Sequence, residues 1–130
     1  MINSLVSAGC RIEGFVQNSI LSPGVRIEKG AEVIDSVIMQ DALVSANARL
    51  FRVIADKHAR FGEGVVAGGV EADEPNEKYP EHLYSGLTVV GKRADIPAGI
   101  RIAANTIVEP LASESSFSGI TLRTGSYVKR

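Results

Sequence analysis

Nine tetrads of one kind recur along this chain: a turn-type residue, a small residue, any residue, then a large aliphatic or aromatic one. They open at Gly9, Gly24, Gly30, Asp41, Asn47, His58, Arg93, Gly99 and Asn105, so that the beat is six residues or near two sixes. An α-helix would set its apolar positions three or four apart. A helix pair or a propeller blade needs a longer repeat. The beat fits a hexapeptide solenoid, in which each step is one short strand and one corner.

With the large slot pointing inward, the expected interior runs Leu21, Ile27, Val33, Ile38, Val44, Leu50, Ile54, Phe61 and Val66, and resumes at Ile96, Ile102 and Val108. A second signature marks one face of the coil. Asn3-Ser4-Leu5-Val6, Asn18-Ser19-Ile20-Leu21 and Asp35-Ser36-Val37-Ile38 are 15 and 17 residues apart, and Phe51-Arg52-Val53-Ile54 reads as a fourth copy with Arg52 breaking the small slot. Three full hexads would give 18, so the coils are clipped at a corner. Each coil then adds one strand to each of three parallel sheets, in an all-β domain of about four to six coils. Aromatics are only 5% of the residues, as suits a narrow tube lined by Val, Ile, Leu and Ala.

The beat breaks over 71–84, which holds five acids and two prolines and reads as a solvated surface excursion. Gly86-Leu87-Thr88-Val89-Val90-Gly91 is strand-like, and the coil is expected to resume by Ala94. The predicted layout is therefore coils over about 2–70 and 85–110, with a tail over 111–130. Ile120-Thr121-Leu122 and Tyr127-Val128 are candidate last strands in that tail, as a cap or as a docking strand.

Several function classes are disfavoured by totals. A formal net charge of −1 offers no clustered positive field for nucleic acid. The one cysteine excludes a disulfide framework and a Cys-rich zinc site, and Cys10, in a small slot, is expected to be a buried, inert thiol. No apolar run reaches the length of a membrane span, and no basic-then-apolar leader opens the chain. The expected setting is the cytoplasm, without membrane contact.

The stretch Asn3-Ser4-Leu5-Val6-Ser7-Ala8-Gly9-Cys10, then Asp35-Ser36-Val37-Ile38, Val44 to Leu50, Val53-Ile54-Ala55-Asp56 and Gly62 to Gly68, resembles the carboxy-terminal β-helix domain of ADP-glucose pyrophosphorylase (glucose-1-phosphate adenylyltransferase). The likeness covers about residues 2–69 and is looser over 86–130. It implies a single-stranded left-handed parallel β-helix. It also implies an oligomerisation and regulatory role in a nucleotidyltransferase of ADP-glucose synthesis for glycogen or starch. The nucleotide-binding loop of such an enzyme has no counterpart here, so the chain reads as a piece or a stand-alone relative, with the amino-terminal nucleotidyltransferase domain as a missing partner. Alone it is expected to have no turnover, no catalytic residue, no cofactor and no metal. Copies of it are expected to associate as a homo-oligomer.

The same resemblance implies that Lys57, Lys92 and Arg93 lie near an anionic, phosphorylated effector, which charge-assisted donors would hold. Three solvated surface charges are the plain alternative. His58 fills a corner slot, and His82 lies in the excursion. A stand-alone hexapeptide acyltransferase with His58 as base, or a non-catalytic scaffold solenoid, remain the other readings. Two histidines do not make the three-histidine zinc site of a related architecture. Glu71, Asp73 and Glu74 cluster without the spacing of a calcium loop. Arg11, Arg26, Arg49, Arg60 and Arg101 recur in an outward slot and are expected as an external ladder.

Overall fold

The computed structural model describes residues 2–69 and 74–130. Its strands are two or three residues long, and every pairing between them is parallel. They form three sheets of seven, five and six strands, in which each strand pairs with the strand one coil away. The first face runs Leu5–Val6, Ile20–Leu21, Val37–Ile38, Val53–Ala55, Thr88–Val90, Ile107–Val108 and Tyr127–Val128. The second runs Arg11–Ile12, Arg26–Ile27, Leu43–Val44, Arg60–Phe61 and Asp95–Ile96. The third runs Phe15–Gln17, Glu32–Ile34, Arg49–Phe51, Val66–Ala67, Arg101–Ile102 and Thr121–Leu122. This is the hexapeptide β-helix, of the left-handed class, and its only helical turn among the described residues is the 3-10 segment Glu114–Ser116.

The corners explain why these residues coil. All nine tetrad-opening residues have positive φ, from Asp41 at 57° to Gly30 at 81°. Gly, Asn and Asp reach this left-handed region at little cost, so the turn is written locally in the chain. At Gly68 (φ +85) glycine is required twice over, because a Cβ there would collide with the backbone carbonyl of Phe51 on the preceding coil. After each tetrad corner from Gly24 onward the small residue is buried, the next points out and the large one points in: Ala42, Leu43 and Val44 are buried, half-buried and buried.

Two inward assignments need correction. Ile54 and Val66 are half-exposed and point outward, while Val53, Ala55, Val65 and Ala67 are buried. Arg52 does not break a small slot; it is the corner itself, at φ 55, and Val53 takes the place of Ser36 one coil below. A one-residue slip moves a strand's side chains to the opposite face. The slip was invited because alanine, at 55 and 67, fills the slot where a large residue was expected. The interior volume gives the reason. These two alanines belong to the same coil as Phe61, the largest fully buried side chain. A close-packed tube of fixed cross-section admits a ring at one corner only where its neighbours shrink.

The clipped corner lies between the third and first faces, and coils there repeat at 17 residues, with 15 for the first. The strand Thr88–Val90 pairs directly with Val53–Ala55, so the solenoid resumes before Ala94. The tail continues the stack: Thr121–Leu122 pairs with Arg101–Ile102, and Tyr127–Val128 with Ile107–Val108. Before these strands the chain leaves the second face after Ala112, and Phe117 packs against the core.

The excursion is not a freely solvated loop where it is described. Asn76 is fully buried; its Nδ2 donates to the carbonyls of Asn105 and Ser126, both at 3.0 Å, and its Oδ1 accepts from the backbone N–H of Lys78 and Tyr79. Asn105 answers by donating to Glu74 O and accepting from Gly86 N. Residues 74–86 are thereby stitched to the last two coils.

Candidate functional site

One edge of the prism gathers the basic residues singled out from the sequence. Where the first face turns into the second, the left-handed corners Gly24, Asp41, His58, Arg93 and Leu111 stand in a column. The backbone N–H of Arg93 donates to Lys57 O at 2.9 Å, and that of Leu111 to Lys92 O at 2.9 Å. Lys57 and Lys92 therefore hold the same place on successive coils, one strand spacing apart, about 4.8 Å. The intervening excursion leaves this edge in register, so residues far apart in sequence become neighbours.

Beside the column lies a surface concavity of about 390 Å³, lined chiefly by Arg26, Asp41, His58, Arg60, Arg93 and Asp95. Three arginines and two aspartates thus border it. No carboxylate lies within ion-pair distance of Arg26, Arg60 or Arg93 among the described residues. His58 Nε2 is 4.0 Å from Asp41 Oδ2, and its side chain is partly exposed, as befits a corner. Such a surface can hold an anion through bidentate guanidinium contacts.

The expected trio divides. Arg93 enters the concavity, whereas Lys57 and Lys92 stay outside its lining and are exposed. Lys57 Nζ is also 3.7 Å from Asp56 Oδ1. Arg26 and Arg60 were expected only as rungs of a solvent ladder. The signal that could have found them is the 17-residue coil, which sets Arg26, Leu43 and Arg60 side by side. The ladder itself splits over two faces: Arg11, Arg26 and Arg60 lie on the second, Arg49 and Arg101 on the third. There Arg49 Nε pairs with Glu32 at 2.8 Å.

The remaining candidates are quickly placed. Cys10 is half-buried rather than buried, and its thiol donates to Ser22 O at 3.2 Å. His82 is exposed on the excursion. Of the acidic trio, Glu71 and Asp73 lie outside the described residues. Among the described residues no group of three His, Cys, Asp or Glu could hold a metal ion, and no helix is long and apolar enough to cross a membrane.

Residues 1–90 match the family described as GlmU-like, C-terminal hexapeptide. The chain is 36% identical over 126 residues to the glucose-1-phosphate adenylyltransferase of Acetivibrio thermocellus, covering 96% of this chain and 29% of that one. To the enzyme of the same name from Thermomicrobium roseum it is 40% identical over 94 residues, 72% of this chain and 22% of the relative. To that of Pseudothermotoga lettingae it is 30% identical over 135 residues, 98% of this chain and 30% of the relative. The chain thus spans less than a third of the length of these relatives.

Proposed function

This chain belongs to the GlmU-like, C-terminal hexapeptide family, and on that premise we propose that it is the assembly and regulatory domain of a glucose-1-phosphate adenylyltransferase-like enzyme. The adenylyl transfer belongs to an amino-terminal nucleotidyltransferase half, and this chain contributes subunit contacts and an effector site at the basic edge. Lys57, Lys92 and Arg93 attract a phosphorylated small molecule, with Arg26 and Arg60 completing the cradle. The domain works in the cytoplasm and carries no catalytic residue of its own.

One observation supports this reading above the others: Arg93 is bonded through its backbone to Lys57, so that coil stacking concentrates cations beside a concavity in a chain of net charge −1. Isothermal titration with inorganic phosphate and with a hexose bisphosphate tests it. Saturable binding of the bisphosphate is expected, weakened by raised salt and by Arg93→Ala or Arg60→Ala. Binding that is absent, or indifferent to both substitutions, would refute the effector site.

A further inference from the structure

One position in the corner column carries a ring that the turn itself does not need. His58 sits there at φ 60, between Asp41 on the coil below and Arg93 on the coil above. The corners Asn47 and Asn105 reach 62° and 61° with a neutral amide, so a left-handed corner is made without an imidazole. The ring lines the hollow together with Arg26, Asp41, Arg60, Arg93 and Asp95. Its Nε2 lies 4.0 Å from Asp41 Oδ2, too long for a hydrogen bond, and the side chain is 39% exposed.

We propose that His58 is a further anion-holding residue of this hollow, which binds a dianion most tightly when the imidazole is protonated. This rests on the effector site of the proposed function and gives that site a proton-linked control. Imidazole is the side chain that ordinarily changes charge between pH 5 and 8. With a neutral ring, the three arginines of the hollow exceed its two aspartates by one charge. The imidazolium raises that excess to two, the charge of the ligand.

The charged groups around the ring come from every neighbouring coil. Asp41 stands on the coil below and Arg26 on the one below that. Arg60 and the Asp56–Lys57 pair share the coil of His58, and Lys92, Arg93 and Asp95 belong to the coil above. Carboxylates, ammonium and guanidinium groups ordinarily hold their charge over the interval in which imidazole gains one. Binding is then tight on the acid side of that interval and weakens as pH rises through it. By reciprocity the bound dianion draws a proton onto the ring, so association takes up protons from solvent.

Sulfate is the probe, because it is a dianion at every pH used, whereas a phosphate group changes its own charge in this interval. Isothermal titration of the 130-residue chain at about pH 5.5 and about pH 8, in the same salt, is expected to show sulfate held about threefold to tenfold more tightly at the lower pH. A unit charge about 4 Å from another in water accounts for about fivefold. Near the middle of the interval the heat should depend on the ionisation enthalpy of the buffer, which reports the proton taken up. His58→Asn keeps a residue suited to the corner and is expected to bind sulfate alike at both pH values. His82→Asn, on the excursion, is expected to retain the full difference. Binding that is weakened by Arg93→Ala yet equal at both pH values, or whose pH dependence survives in His58→Asn, overturns the role of His58 and leaves the effector site standing. No sulfate binding at either pH also overturns it, while the bisphosphate titration decides the effector site separately.

Discussion

The hydroxyl of Ser19 accepts a 3.1 Å hydrogen bond from the backbone N–H of Ser36, its counterpart one coil further on. Ser4 accepts from Ser19 N in the same way, and Ser36 accepts from Val53 N at 3.0 Å. Each hydroxyl also donates to the carbonyl two residues before it, so the ladder supplies two bonds per rung at the clipped corner. The buried Val53 N–H has its partner only there. Ser36→Ala is expected to cost about 1–3 kcal/mol, the penalty of an orphaned buried donor. Chemical denaturation measures it, and amide exchange at Val53 should quicken more than at Val44.

Phe61 and its two small neighbours should behave as one volume. Ala67→Leu alone overpacks the coil and is expected to cost about 1–3 kcal/mol. Phe61→Ala opens a cavity worth about 3–5 kcal/mol. Combining Ala67→Leu with Phe61→Val is expected to cost less than the sum of the separate changes, by more than about 0.5 kcal/mol in a thermodynamic cycle. Strict additivity would show that the two positions do not share space.

Thr106 Oγ1 is buried without a hydrogen-bond partner, in the slot that Ser36, Val53 and Thr88 fill on earlier coils. Thr106→Val keeps the shape and removes the unsatisfied hydroxyl. It is expected to raise stability by about 1 kcal/mol, read as a higher Tm.

The clasp of the excursion depends on Asn76. Asn76→Ala removes both donors and both acceptor contacts from a fully buried site. A loss of about 2–4 kcal/mol is expected, with early proteolysis between 74 and 86 and little change in amide exchange in the first three coils.

The final strand carries a pH-sensitive contact. The Tyr127 hydroxyl donates to Glu109 Oε2, which holds the Glu109 carboxyl below its ordinary value, with the Arg130 N–H adding to the effect. A depressed carboxyl contributes stability that is present above its unfolded value, near 4.5, and is lost as pH falls through the folded one. The same bond with Glu109 raises the Tyr127 phenol, so its contribution is present below about 10 and is lost as pH rises through the folded value. Tyr127→Phe is expected to bring the Glu109 titration, followed by carboxyl NMR, back toward 4.5. An unmoved Glu109 would show that the hydrogen bond is not the cause.

The corners were legible residue by residue. Nine tetrads named nine left-handed turns: seven open on Gly, Asn or Asp, which carry that preference in their own backbones, and the period alone marked those at His58 and Arg93. The period then dictated short parallel strands and a single tube. The register around Phe61 was not legible, because an alanine reads as an inward residue only when the volume of its neighbours in the coil is known. At the basic edge the resemblance singled out Lys57, Lys92 and Arg93, yet nothing local says that the Arg93 N–H bonds to Lys57 O or that Arg26 and Arg60 line the same hollow as Arg93. Local conformation is set by each residue's own sterics. Which side chains meet across coils is set by how many residues each turn consumes, and that number is decided by the clipped corner, the stitched excursion and the space inside the tube.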